Sequence, residues 1–189
     1  MDKLDPQRTA LVLIDLQEGI LGYPFAPRAA GDVRAAGVRL AKAFRAAGGL
    51  VVLTRVMFHP SFGDALRQPV DRPLPGSADL PANWGAFDPA LEVGDADVVI
   101  DKQNWGAFYG TGLDLQLRRR GVDTIVMGGV ATNMGVESTA RDAYERNYAL
   151  IFADEAISSM SAEMHGFAME TIFPLIGRIS SVDAVIAAL

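Results

Sequence analysis

Three places in this sequence carry groups that could do chemistry, and each follows an apolar run. Asp15 ends Ala10-Leu11-Val12-Leu13-Ile14 and is followed by Leu16-Gln17. Asp101-Lys102-Gln103 ends Val98-Val99-Ile100. Gly128-Gly129-Val130-Ala131-Thr132-Asn133-Met134-Gly135 follows Thr124-Ile125-Val126-Met127 and runs into a helical pattern. A carboxylate beside an ammonium makes an acid/base pair whose set point depends on two opposed effects: the cation favours the ionised acid, and burial favours the neutral one. Amides opening a helix bind anions. Together these groups suit proton transfer on a small anionic molecule. Each also has an ordinary reading, with Asp15 in a turn, Lys102 snorkelling to solvent and Thr132 or Asn133 capping the helix behind it. Arg55, after Leu50-Val51-Val52-Leu53-Thr54, stands near the same rim, where it could grip a substrate carboxylate in a forked geometry or form a surface pair.

The elements that must position these groups are legible in the hydrophobic pattern. The runs at 10–14, 50–54, 98–100, 124–127 and 149–152 are continuous rather than alternating, the signature of strands buried on both faces. Helical periodicity fills 33–47, where Val38, Leu40, Ala41 and Phe44 share a side and Gly48-Gly49 end the pattern, and then 112–120, 133–146, 161–173 and 182–189. Strands alternating with helices predict an α/β fold with a doubly wound parallel sheet, in which ligands bind beyond the carboxyl ends of the strands. One stretch, 58–96, is rich in Pro, Gly and Asp and has little periodicity, as functional lids and interface loops do. Substrate specificity is expected within 58–87 and at subunit contacts.

Composition narrows the function. The 189 residues, 50% of them hydrophobic, suffice for one domain spanning 1–189. A net charge of −6 argues against a nucleic-acid partner, because such binding needs a cationic face. The basic run Arg118-Arg119-Arg120 precedes Gly121 and reads as the end of a helix, where cations meet the negative pole of the dipole. With no cysteine in the chain, disulfides, thiolate metal sites and a cysteine nucleophile are all excluded. The polar start and the short apolar run ending at Asp15 predict no membrane partner and a cytoplasmic location. Two histidines, His59 and His165, are too few for a zinc site at 54–60, so no metal is expected. The segment Asp15-Leu16-Gln17-Glu18-Gly19-Ile20-Leu21-Gly22 lacks a dinucleotide fingerprint or phosphate loop, and no cofactor is expected.

Three ordered motifs together carry a resemblance. They are Thr9-Ala10-Leu11-Val12-Leu13-Ile14-Asp15-Leu16-Gln17, then Asp101-Lys102-Gln103-Asn104-Trp105-Gly106-Ala107-Phe108-Tyr109-Gly110-Thr111, then Gly129-Val130-Ala131-Thr132-Asn133-Met134-Gly135-Val136-Glu137-Ser138-Thr139-Ala140-Arg141-Asp142-Ala143. The chain resembles the isochorismatase-like, or cysteine hydrolase, family from about Thr9 onward, and within it the YecD-like branch with Gly at the nucleophile position. The resemblance implies a three-layer α/β/α sandwich around a six-stranded parallel sheet, assembled as a homodimer or homotetramer. It maps the amidases' Asp and Lys onto Asp15 and Lys102 and their Cys onto Gly135, and it puts a cis peptide at Val130-Ala131. Around them it implies a wall for a small-molecule substrate from Gln17, Arg55, Trp105, Phe108, Tyr109, Val130, Ala131, Thr132 and Asn133, although Trp105 and Phe108 equally suit a core.

Without a thiol, an acyl-enzyme route is closed, and the neighbouring hydroxyls do not reopen it. Thr132 reads as a cap, and Ser138 and Thr139 lie further into the helix. True isochorismatases also carry Gly at that position and hydrolyse a vinyl ether, which needs a proton on carbon and then water. Asp15 is the candidate acid, with Lys102 as its electrostatic partner or, as the resemblance suggests, as a group orienting the substrate carboxylate. The alternative is a member that lost its chemistry with its cysteine and serves in ligand binding or assembly.

Overall fold

The computed structural model describes residues 2–73 and 80–189. Its framework is one all-parallel sheet of six strands in the order β3-β2-β1-β4-β5-β6. The strands are β1 (Thr9–Ile14), β2 (Leu50–Val56), β3 (Val98–Lys102), β4 (Thr124–Val130), β5 (Ala149–Ser158) and β6 (Arg178–Ser180). Five of these grew from the expected runs, several by a few residues at the carboxyl end. β6 carries only three residues, two of them exposed, so it left no apolar run to read; it was expected from the resemblance alone.

β1 is buried at all six positions because helices cover both faces. Ala10, Val12 and Ile14 join a core with Leu113, Leu117, Ala140 and Phe173. Leu11 and Leu13 join a second core with Val33, Leu40, Phe44 and Val185. A short helix, α1 (Glu18–Leu21), follows β1; the helices on the second face are α2 (Ala30–Ala46) and α7 (Val182–Ala188), and those on the first include α3 (Leu113–Arg119), α4 (Glu137–Glu145) and α6 (Phe173–Ile176). Two cores separated by a sheet are the three-layer sandwich expected of this strand and helix order. α3 closes at Arg119 with Gly121 at φ 70°, so the basic run is a helix end.

The pattern at 133–146 resolves into a π-helical turn, Thr132–Val136, followed by α4. The pattern at 161–173 likewise splits into α5 (Ala162–Phe167), a π turn at Ala168–Ile172 and α6. Of the irregular stretch 58–96, residues 74–79 lie outside the described residues. The remainder holds a short 3₁₀ turn, Pro89–Leu91, and is anchored by Glu18 N–H donating to Ala86 O and Asp88 N–H donating to Leu16 O. Among the described residues no helix is long and apolar enough to cross a membrane.

The strand order reverses direction between β1 and β4, and that switch point is where an open parallel sheet offers a crevice. Here β4 approaches β1 through Gly129 at φ 113°, where an added Cβ would lie 2.0 Å from Ile14 O. Any other residue would collide with the β1 backbone. Opposite it, the β4–β5 register shifts between Met127, paired with Phe152, and Gly129, paired with Ile157, so the extra residues of the bulge lie in β5.

Candidate active site

Asp15 leaves β1 with φ 55°, a left-handed conformation that Asp tolerates better than most side chains, and is only 4% exposed. Its Oδ1 accepts a 2.9 Å hydrogen bond from Thr54 Oγ1, and its Oδ2 accepts one of 2.8 Å from Lys102 Nζ. β-strand alternation explains the meeting. Thr54 shares the face of Val52, and Lys102 that of Ile100, both on the α3/α4 side of the sheet. Lys102 is fully buried, and its ammonium also donates to Asn104 O and Trp105 O at 3.0 Å each. Three acceptors use all three hydrogens of an ammonium. Lys102 therefore has none left for a substrate carboxylate, against the orienting role considered from sequence, and it stands as the partner of Asp15.

Burial pushes the Asp15 carboxyl above its usual acidity range, and the charge and hydrogen bond of Lys102, with the hydrogen bond from Thr54, only partly offset this. The snorkelling reading of Lys102 fails with its burial.

Gly135 faces this pair. A Cβ added there would lie 2.9 Å from Ile14 Cγ2, 3.2 Å from Asp15 Oδ2 and 3.4 Å from Trp105 O. The position mapped onto the family's nucleophile thus points at the carboxylate, and the backbone approaches Asp15 so closely there that even a Cβ would crowd Ile14 and Asp15. The Val130-Ala131 peptide is cis, as expected. Val130 and Ala131 are buried, and Ala131 O accepts from the amides of Met134 and Val136 at 3.0 and 3.3 Å, winding the turn that presents Gly135.

Thr132 is not the cap that its position suggested. The turn has no side-chain cap, and Thr132 Oγ1 instead lies 2.8 Å from His165 Nδ1. Asn133 is held by the Ser159 hydroxyl at its Oδ1. Thr139, one helical turn beyond Gly135, donates to Gly135 O at 2.7 Å and accepts from Ala107 N–H at 3.1 Å. It braces the turn against the loop after β3 and is spent as a nucleophile.

The other expected wall residues separate. Gln17 is fully buried, donates to Val56 O and Trp84 O, and accepts from Val56 N–H. Its amide clamps the 84–88 segment onto the ends of β1 and β2 and has no polar edge free for a ligand. Arg55 lies on the opposite sheet face from the pair, since it alternates with Thr54. It grips Asp101 through Nε at 2.6 Å, donates to Gly85 O at 3.1 Å and lies over the Phe87 ring, which corrects the substrate-carboxylate reading in favour of the surface pair. Phe108 is 5% exposed and packs in the core beside Tyr148 and under Arg146, so it is not wall. Trp105 is 47% exposed and Tyr109 76%, and Trp105 remains adjacent through its carbonyl on Lys102.

Thr54, Thr139 and His165 were missed from sequence. Thr54 carried a faint signal, a hydroxyl closing an otherwise aliphatic run, but only the register shows that it meets Asp15. Among the described residues no group of three or more His, Asp or Glu is placed to hold a metal ion. A surface recess of about 400 Å³ lined by Asp123, Thr124, Tyr144 and Tyr148 lies at the amino ends of β4 and β5, the wrong end of the sheet for the Asp15 chemistry.

Comparison with known proteins identifies the family. The family described as Isochorismatase domain matches residues 9–184. The isochorismatase family protein YecD of Escherichia coli O157:H7 is 49% identical over 189 residues, covering 100% of both chains. YwoC of Bacillus subtilis strain 168, of the same family, is 46% identical, covering 93% of this chain and 90% of its own. The structure of an isochorismatase family protein from Burkholderia thailandensis superposes with a TM-score of 0.94 at 46% identity, covering 100% of this chain and 98% of that one. With a profile match over nearly its whole length and two full-length relatives near half identity, the chain belongs to the isochorismatase family of hydrolases.

Proposed function

We propose that this protein hydrolyses a small anionic metabolite by acid/base chemistry that needs no thiol, with Asp15 as the proton donor and acceptor. The observation that carries this reading is the buried Asp15 carboxyl, raised in pKa and held by Lys102 and Thr54, facing the side-chain-free Gly135 turn. A carboxyl so placed holds its proton to a higher pH than an exposed one, as a general acid must.

For a vinyl ether the sequence of events balances without another reagent. Asp15 gives its proton to the terminal alkene carbon, leaving an oxocarbenium ion and an Asp15 carboxylate that Lys102 and Thr54 stabilise. Water adds to the cation and returns a proton to Asp15, and the resulting hemiketal breaks into a ketone and an alcohol. The amides of Asn133 and Gly135 at the opening of the turn would face the substrate's anionic group, in the manner of helix N-termini. The substrate is a small molecule, no cofactor takes part, and the expected working form is a cytoplasmic homodimer or homotetramer.

A second reading is favoured by one observation, the complete internal satisfaction of Lys102. A buried ion pair can persist for structural reasons after chemistry is lost, which would leave a ligand-binding or assembly protein. The test is pyruvate release from isochorismate by the purified protein, beside Asp15→Asn and with a chelator present. Release that survives the chelator and disappears in Asp15→Asn supports the hydrolase. Release unchanged in Asp15→Asn overturns the role of Asp15, and saturable metabolite binding without any product favours the second reading.

A further inference from the structure

Behind the Gly135 turn runs a polar chain that the proposed chemistry does not use. Thr132 Oγ1, fully buried, lies 2.8 Å from His165 Nδ1, and His165 is itself 6% exposed. The other ring nitrogen, Nε2, is 3.4 Å from Arg28 Nη1. Arg28 is fixed in turn: its Nη2 pairs with Asp154 at 2.8 Å, Nη1 reaches Ile157 O at 3.4 Å, and its backbone exchanges two hydrogen bonds with the Ser158 hydroxyl.

The protonation state follows from the donor inventory. A guanidinium has donors and no acceptor, so Nε2 must be the bare nitrogen that accepts from Arg28. The single imidazole proton then sits on Nδ1 and is donated to Thr132 Oγ1. A proton on Nε2 would set two donors against each other, and an imidazolium would set two cations against each other. The charged groups facing the ring are Arg28 and, beyond it, Asp154. Burial and Arg28 both lower the His165 pKa, with Asp154 opposing.

We propose that His165 is a positioning residue: locked by Arg28 as the neutral Nδ1–H tautomer, it donates to Thr132 Oγ1 and so fixes the turn that holds Gly135 against Asp15. The geometry supports a specific constraint rather than packing alone, since the Thr132–His165 bond is buried and acts on the first residue of the turn, while the bonds to Ala131 O and the Thr139 brace hold its remainder. The functional meaning of this lock rests on the proposed role of the Gly135–Asp15 face, but its test does not depend on turnover. If Asp15→Asn left hydrolysis unchanged, the proposed function would fall while the lock would still be decided by the following measurements.

The full chain has two histidines, so the nitrogen-15 spectrum of histidine-labelled protein shows two rings, and His59→Gln assigns them. The expected spectrum has His165 with Nδ1 protonated and Nε2 bare at neutral pH, and Arg28→Met should yield a mixture of tautomers. The chain's lack of cysteine supplies a second readout. Gly135→Cys introduces a single thiol facing Asp15, and the pH–rate profile of its alkylation by iodoacetamide reports its placement against the Asp15–Lys102 pair. Adding Thr132→Val should move that profile or slow the reaction by about tenfold, what one hydrogen bond is worth, and Thr132→Ser in the same background should restore it. A residue that merely fills space would change stability and leave the profile in place. An Nε2-protonated or cationic His165 at neutral pH overturns the proposal, as does a thiol profile unmoved by Thr132→Val. Should His165→Gln fail to fold, the spectrum of the unaltered ring and the Thr132 variants still decide.

Discussion

Two ion pairs stand side by side at the carboxyl rim of the sheet and differ in almost everything that matters. Arg55 meets Asp101 at 2.6 Å, with side chains 28% and 46% exposed, and Lys102 meets Asp15 at 2.8 Å, with side chains 0% and 6% exposed. Arg55 follows Thr54 and Asp101 precedes Lys102, so one step along β2 and β3 separates the pairs. One step in a strand reverses the face. The Arg55 pair points to the α2 side, where β3 is the edge strand and water reaches it. The Lys102 pair points to the α3/α4 side, beneath the loop that supplies the carbonyls of Asn104 and Trp105. Charge type and proximity to the rim therefore do not identify a reactive pair. Desolvation does here, because burial keeps the Asp15 carboxyl protonated to a higher pH, the state from which a proton can be given.

The sharpest way to break this comparison is to remove a partner from each pair. Lys102→Ala should leave an uncompensated buried carboxylate and cost about 3–5 kcal/mol of unfolding free energy, read by urea denaturation, with loss of hydrolysis. Asp15→Asn should retain the fold by circular dichroism while abolishing turnover. Gly135→Ala tests the close approach of the turn to Asp15 from the other side. Its Cβ would press on Ile14 Cγ2 and Asp15 Oδ2, and we expect turnover to fall at least tenfold for a stability cost of about 1–3 kcal/mol, measured on the same preparation.

His165 sharpens the comparison through pH. Because its folded pKa is lowered, chiefly by burial, the folded chain binds fewer protons than the unfolded one just below the ordinary histidine value of about 6.5. Its stabilising share is complete above that pH and is lost as the pH falls from there toward the folded pKa. A denaturation series across this window should show a slope that His165→Gln flattens. The smallest effect belongs to the exposed pair. Asp101→Asn should change stability by about 1 kcal/mol or less and leave turnover in place, and a large loss of turnover there would erase the distinction between the two faces.

Much of the fold was legible because both-faces-buried strands write continuous apolar runs, as 10–14 and 124–127 do. β6 was not, because a three-residue edge strand needs neither face apolar. Asp15 and Lys102 stood out as charges closing apolar runs. Gln17 and Arg55 read as substrate wall beside them, because in sequence a polar side chain at a strand end gives no sign of which face it takes or which backbone group it satisfies. The helical pattern at 133–146 concealed a π turn, since periodicity records which residues are apolar and not how many residues each hydrogen-bonded turn contains.

By itself the sequence determined that the chain carries no cysteine thiol and a net charge of −6, and that strands and helices alternate around a parallel sheet. These are facts of composition and period, fixed before any contact forms. The tertiary structure decided which carboxylate is buried, that all three ammonium hydrogens of Lys102 are taken, and that Thr132 answers to His165 and not to the helix behind it. Those outcomes depend on strand register and on segments far apart in the chain, where one residue of offset moves a group from core to solvent.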